Sequence, residues 1–353
     1  MNDWRRRSVL ATVAAIPAGA LASVAVADSS PQLEADWPSH RGSAGHARVV
    51  EDGHEFDGDA LEAVWSAAHD GHVAVADGIV YTTTADAVVA LDAADGALVW
   101  KNAHVEANTP SVDDERVFLT GTEVVALDRT DGTFRWRSDF GTDEAAAWQT
   151  VADDTVYVVI NGSLYALEPD DGSLRWDVDL ARASGSDVGD AFFPETAAAD
   201  GMVYAATDGA VLAYDSETGD EIWRNDAAPG RDVTLHATAA AVAVTGSGEP
   251  GGRLYDPETG VVIDTIDAES PRELALGSEL YVARTDRAYR GRSIGDAEID
   301  WTVDVPDAAG PPVIAGDTVY VYGAVVSGDD RRLTALDDRN GTEKWSIAEG
   351  DVR

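Results

Sequence analysis

The chain of 353 residues contains no cysteine and only two lysines, Lys101 and Lys344. Without cysteine there is no disulfide to staple a core and no thiolate to hold a metal, so stability rests on packing alone. Positive charge is scarce as well: 25 basic residues stand against 65 acidic ones, a formal net charge of −40. Phosphate recognition needs clustered cations, so this balance excludes a DNA- or RNA-binding face. Beyond residue 27 no uncharged run is long enough to span a membrane. The sequence also lacks a glycine-rich phosphate loop, a G-x-S-x-G nucleophile turn and the alternating D-x-D-x-D-G spacing of a calcium loop.

What is present begins at the N-terminus. Arg5-Arg6-Arg7-Ser8-Val9-Leu10 leads into an uncharged stretch that closes on Ala25-Val26-Ala27, a small-x-small cleavage pattern before Asp28. This resembles a twin-arginine export signal over residues 1–27, with Arg6 and Arg7 as the pair. The alternative is an uncleaved anchor, although Pro17 and Gly19 interrupt the stretch. Export places the folded chain at the cell surface or outside the cell.

The body of the chain repeats one phrase. It reads LDAADGALVW at 91–100, LDRTDGTFRW at 127–136, LEPDDGSLRW at 167–176, YDSETGDEIW at 214–223 and LDDRNGTEKW at 336–345. Each copy follows a Val-Tyr-type run and an Asp-Gly or Asn-Gly turn, as in Val156-Tyr157-Val158-Val159-Ile160-Asn161-Gly162. Alternating apolar residues between such turns predict antiparallel hairpins, and each unit reads as a four-stranded meander. The closing markers Trp65, Trp100, Trp136, Trp176, Trp223, Asp264, Trp301 and Trp345 lie 35 to 47 residues apart. A period near 40 with four strands per unit predicts an all-β protein, a β-propeller. Seven units fit residues 66–345; an eighth, partial blade remains open in the closing region. A lone sheet cannot hide both faces, so each terminal tryptophan is expected to wedge between neighbouring blades. Trp65, with no unit before it, is expected to help close the ring beside the last blade.

The phrase resembles the Ala-x-Asp-x-x-Thr-Gly-x-x-x-Trp pattern of PQQ-like β-propeller repeats, also called quinoprotein or tryptophan-docking repeats. The match is full at Ala213, Asp215, Thr218, Gly219 and Trp223, and Asp replaces Thr at Asp95 and Asp131. The fifth copy keeps Asp256, Thr259 and Gly260 but carries Asp264 where tryptophan belongs; the sixth keeps little beyond Trp301. WPSHRG (37–42) resembles a lead-in found before such propellers in halophilic archaeal proteins. The acidic, lysine-poor composition is similar to that of such organisms: at molar salt the Debye length falls to ~3 Å and self-repulsion is screened. The resemblance implies a domain layout of signal 1–27, lead-in 28–58, propeller 59–348 and tail 349–353.

For function the resemblance points two ways. Its dehydrogenases hold a quinone, PQQ, with Ca2+ in the central channel, and many carry an adjacent cysteine pair that this chain lacks. Its other members are non-catalytic, such as the propeller subunit of the bacterial outer-membrane assembly machinery. No cofactor is expected on the leading reading, and PQQ with Ca2+ only on the alternative one. That leading reading is an exported, monomeric scaffold that binds a protein or small ligand, with no metal and no catalytic residue. A structural surface-layer role is a third reading.

Plug residues recur, so a site should be built from residues that do not. Counting eight back from each Val-Tyr strand gives the expected channel mouth: His72, Thr109, Trp148, Glu195, Thr234, Arg272 and Pro311. Trp148 is the propeller tryptophan that stands off the plug positions. The bland alternative is ordinary channel filling. Phe192-Phe193, after the longest inter-blade link, either carries binding or covers the channel. Arg284, Arg287, Arg290 and Arg292 suit an anion, or simply neighbouring carboxylates. The histidines at 40, 46, 54, 69 and 72 match no metal-ligand spacing.

Overall fold

Tyr81, Ala90 and Trp100 sit abreast on three consecutive strands, and that row explains the repeated phrase. The small alanine lets the two rings tilt together, with centroids 6.0 Å apart. The row recurs as Phe118–Ala126–Trp136, Tyr157–Ala166–Trp176, Tyr204–Ala213–Trp223 and Tyr320–Ala335–Trp345. The computed structural model describes residues 37–50, 63–67, 71–105, 108–180, 191–226, 229–246, 252–266, 273–295, 300–305, 307–324, 331–348 and 351. The signal-like segment and Arg272 lie outside these residues.

Seven antiparallel meanders follow in chain order. Blade 1 is Val73–Ala76, Ile79–Thr83, Val88–Asp92 and Leu98–Asn102. Blade 2 is Ser111–Val112, Arg116–Thr120, Glu123–Asp128 and Phe134–Asp139. Blade 3 is Gln149–Ala152, Thr155–Ile160, Ser163–Leu167 and Leu174–Val178. Blade 4 is Ala197–Ala199, Met202–Ala206, Val211–Asp215 and Glu221–Asn225. Blade 5 is Thr234–Ala237, Val242–Thr245, Gly252–Tyr255 and Val262–Ile266. Blade 6 is Glu273–Leu276, Leu280–Arg284, Ala288–Ser293 and Asp300–Asp304. Blade 7 is Val313–Ala315, Thr318–Ala324, Arg332–Asp337 and Glu343–Ala348.

The turn chemistry matches the pattern. Asp77-Gly78, Asn161-Gly162 and Asp200-Gly201 all take positive φ at both positions, which a tight hairpin requires. In the repeated phrase Asp215 Oδ1 accepts from the amides of Glu217 and Thr218, at 3.0 and 2.8 Å. The tryptophans bridge blades as expected. The Trp100 indole N–H donates to the Arg129 carbonyl of blade 2 at 2.9 Å, and Trp136, Trp176, Trp223 and Trp301 repeat this at the carbonyls of Pro169, Ser216, Pro257 and Asp338. Each indole lies against the turn glycine of the next blade: a Cβ on Gly219 would meet Trp176 at 2.6 Å and one on Gly341 would meet Trp301 at 2.8 Å. A glycine is needed there because the aromatic ring occupies the side-chain position.

Apolar clusters join blade 1 to 2, 2 to 3, 3 to 4, 4 to 5, 5 to 6 and 6 to 7. Trp65 docks on the outer flank of blade 1, donating to the Ala93 carbonyl at 2.8 Å over Gly96. It takes on blade 1 the place that Trp100 takes on blade 2, with an indole bond to a turn carbonyl above the turn glycine. Trp345 packs with Tyr320, Val50 and Ala309 on blade 7's own flank. Blade 5 departs from the row: Ala243, Leu254 and Asp264 stand abreast, so its bulk sits on the middle strand and its rim position is polar. Phe192 is buried between blades 3 and 4, 6.0 Å from Tyr214.

Candidate functional site on the propeller axis

The innermost strand of a blade has one edge with no partner strand, and its N–H groups need acceptors. Residues 37–50 supply them. The amides of Val75, Val112, Ala198, Ala237, Leu276 and Ile314 donate to the carbonyls of Trp37, Pro38, Ala44, Gly45, Ala47 and Arg48 at 2.8 to 3.0 Å. Those donors belong to blades 1, 2, 4, 5, 6 and 7. Blade 3 is held by a side chain, with Thr150 Oγ1 3.1 Å from His46 Nε2. Val49–Val50 then pairs parallel with Val313–Ala315. The lead-in thus winds past the inner edge of every blade. Gly45 permits the closest pass, where any Cβ would collide with the Ala237 carbonyl oxygen.

A tight turn presents the polar residues of this segment. Ser39 and Gly42 exchange both backbone hydrogen bonds, at 2.9 and 3.1 Å, and Arg41 and Gly42 take positive φ. The turn sends His40 onto Trp148: the rings stack with centroids 4.6 Å apart at 22°. His72 meets His40 edge-on at 4.4 Å. Arg41 forms an ion pair with Glu195, whose Oε1 also accepts from the Leu235 amide at 3.2 Å. On blade 6 Arg284 pairs with Glu273 at 2.9 Å and donates to the Ala308 carbonyl.

Electrostatics here follow from burial. His46 Nδ1 lies 2.6 Å from the His40 carbonyl and His236 Nδ1 lies 2.6 Å from the His46 carbonyl. A carbonyl only accepts, so both imidazoles carry their proton on Nδ1. Burial pulls His46 down to about 4, and the nearby Arg41 and Arg48 charges add to the depression. His40 and His236 are lowered by the same causes, burial first. Burial pushes the Glu195 carboxyl up, against the pull of Arg41. The axis is a core of neutral imidazoles and paired ions.

Of the expected mouth residues, the structure brings His72, Trp148 and Glu195 together, all against the His40–Arg41 turn. Thr109 is buried and its carbonyl accepts from Gln149 Nε2 at 2.6 Å. Thr234 opens the inner strand of blade 5 and is half-buried, as is Pro311. Arg272 is outside the described residues. Of their partners, His40 and His46 stand among the N-terminal histidines, but nothing in the spacing of His40, Arg41, His46 and Arg48 tells that the segment enters the channel. Among the described residues no group of three histidine, aspartate or glutamate side chains is placed to hold a metal ion.

A channel quinone does not fit this arrangement. One face of Trp148 is covered by His40, and the axis is threaded by backbone bonded to the blades. No helix among the described residues is long and apolar enough to cross a membrane.

A family model described as outer membrane protein assembly factor BamB matches residues 55–123, 120–287 and 274–352. The chain belongs to this family of PQQ-like propellers. Solved structures share the fold at low identity. A quinohemoprotein alcohol dehydrogenase from Pseudomonas putida HK5 is 14% identical, with a TM-score of 0.62 over 89% of this chain and 72% of that one. A europium-containing methanol dehydrogenase is 13% identical, with a TM-score of 0.61 over 89% and 85%. BamB from Moraxella catarrhalis is 17% identical, with a TM-score of 0.52 over 86% and 98%. No curated protein matches the chain.

Proposed function

We propose that this protein is an exported, non-catalytic propeller that serves as a protein-binding scaffold at the cell surface. The observation that carries this reading is the lead-in: residues 37–50 take the axis where the quinoproteins of this fold place their cofactor, and they bond to the blades along it. Two further features support it. The recurring residues are spent on sealing blades, and the family description names an assembly factor, a role played through other proteins. The twin-arginine-like segment would deliver the chain already folded, which suits a propeller whose axis is filled by its own N-terminal part.

The competing reading is a PQQ-dependent oxidoreductase. Incubating the purified protein with PQQ and Ca2+ in molar salt, then assaying dye-linked oxidation of alcohols, aldoses and aldehydes, separates the two. The scaffold reading expects neither a stoichiometric quinone spectrum nor turnover; both together would overturn it. Affinity purification from the native envelope at high salt is then expected to return a specific partner. Self-assembly of the isolated protein would instead favour a structural surface component.

A further inference from the structure

Three arginines reach the axis and two carboxylates answer them. Arg41 pairs with Glu195 and Arg284 with Glu273. Arg48 lies in the field of both pairs yet has neither an ion pair nor a side-chain hydrogen bond among the described residues, and its buried Nε is without a partner. Its own backbone fixes it there: φ is 56°, its amide donates to the Arg41 carbonyl at 2.9 Å and its carbonyl accepts from Ile314. The main chain is anchored and the residue is half-buried, with Nε the guanidinium atom that is both buried and without a partner. Burial and the neighbouring Arg41 charge pull its guanidinium down to about 9. Buried charge normally finds a counter-charge.

Further unpartnered polar atoms belong to residues whose charges Arg48 feels or influences, Arg41 and His236. Arg41 Nε, like Arg48 Nε, is a buried donor without a hydrogen-bond partner; His236 Nε2, on a side chain 1% exposed, carries no proton and is a bare acceptor, which suits a water beside the anion. His236 is tied to the His46 carbonyl, two residues from Arg48. Unsatisfied polar atoms are rare in folded interiors and mark an ion or water when they cluster. The local charge is positive inside a chain whose net charge is −40, so an anion is the guest the cluster favours.

We propose that the propeller axis binds a small monovalent anion, a halide or a carboxylate group, with Arg48 as its principal ligand. The bound anion completes the charge balance of the lead-in and so ties residues 37–50 into the ring. A guanidinium grips a carboxylate through two parallel N–H bonds and a halide through one or two, and either chemistry is open to Arg48. The site stands apart from the scaffold reading, which the quinone assay tests separately.

The test is thermal unfolding at pH 7 and a constant ionic strength of about 2 M, which holds general screening fixed. Isethionate, a bulkier sulfonate that carries no carboxylate, is replaced stepwise by chloride, and in a second series by acetate. The wild-type midpoint is expected to rise saturably with at least one of the small anions. Arg48→Gln is expected to lose that rise, Arg48→Lys to keep it with half-saturation shifted about ten-fold upward, and the exposed Arg287→Gln to match wild type. Chloride alone working identifies a halide site, acetate alone a carboxylate site, and both together a site that reads charge. A wild-type midpoint indifferent to the anion would overturn the proposal. So would an unchanged rise in Arg48→Gln, or a loss in Arg287→Gln equal to that in Arg48→Gln. Should Arg48→Gln fail to fold in isethionate, the Arg48→Lys shift decides.

Discussion

His40 lies flat on Trp148, with ring centroids 4.6 Å apart and planes 22° from parallel. One ring belongs to the N-terminal lead-in and the other to the third blade, so this contact joins the axis to the ring. Truncating Trp148 to alanine removes the stack and the edge contact with His72. Trp148 is half-buried, so the expected cost lies below the range for a fully buried indole, roughly 1–3 kcal/mol in chemical unfolding. In a double-mutant cycle with His40→Ala, the two changes should couple by roughly 0.5–1.5 kcal/mol. Additive effects would mean that the stacking contributes nothing beyond burial.

Acid should loosen the axis. His46 falls from an ordinary 6.5 to about 4 in the folded chain, and His40 and His236 are lowered too. Between those values the unfolded chain binds more protons than the folded one, so stability drops as pH falls. The His46 contribution is intact above pH 6.5 and is lost progressively down to pH 4, on the order of 3 kcal/mol in full. Glu195, raised by burial, acts in the opposite direction and softens the loss. Chemical unfolding measured at pH 7 and pH 4.5 checks this, with His46→Gln expected to flatten the difference. A wild-type stability that holds or rises towards pH 4.5 would contradict it.

The plug tryptophans are not equivalent. Trp136 is 8% exposed, donates to the Pro169 carbonyl and packs over Gly172 of the next blade. Trp345 is half-buried and packs against its own blade's Tyr320, with no turn glycine of another blade against it among the described residues. Trp136→Ala is therefore expected to cost about 3–5 kcal/mol and Trp345→Ala clearly less. Equal losses, read as shifts in denaturant midpoint at constant m-value, would show that Trp345 also seals a blade-to-blade junction.

This contrast marks what was legible in the sequence. The blades announce themselves because every copy solves the same local problem: a turn with positive φ, a small residue in the middle of a row, and an indole at the end. Asp264 was visible as the odd member of the series, and Leu254 beside it shows how blade 5 moves its bulk inward. Half of the axis was legible too, since His72, Trp148 and Glu195 stand out as non-repeating residues at equivalent places. What met them was not. The backbone bonds that hold residues 37–50 are made almost all by carbonyls, and main-chain groups carry no side-chain signature. Only Gly45 hints at the close approach, and a lone glycine in a polar segment reads equally well as a loop. Trp65 is expected to help close the ring beside the last blade; its described contacts are with blade 1, where the first repeat presents the socket at Gly96.

Gly45 offers the sharpest test of the threaded axis. Its φ is not in the left-handed region, so an alanine there meets no backbone strain. The obstacle is the Ala237 carbonyl oxygen, which a Cβ would strike and which cannot rotate aside because the Gly45–Ala237 hydrogen bond and the blade 5 ladder hold it. Gly45→Ala must push the lead-in off the inner edge of blade 5, an overpacking cost of roughly 1–3 kcal/mol. Gly141 is the matched control: its φ is 66° and nothing lies within 4 Å of its Cβ position, so alanine there costs only the conformational preference, about 1 kcal/mol. Hydrogen exchange separates the two variants further. Gly45→Ala is expected to speed exchange at the amides of Ala237, Leu276 and Ile314, whose acceptors are in the lead-in, whereas Gly141→Ala leaves them protected. Unchanged protection of those three amides in Gly45→Ala would mean that the segment does not grip the blades in solution.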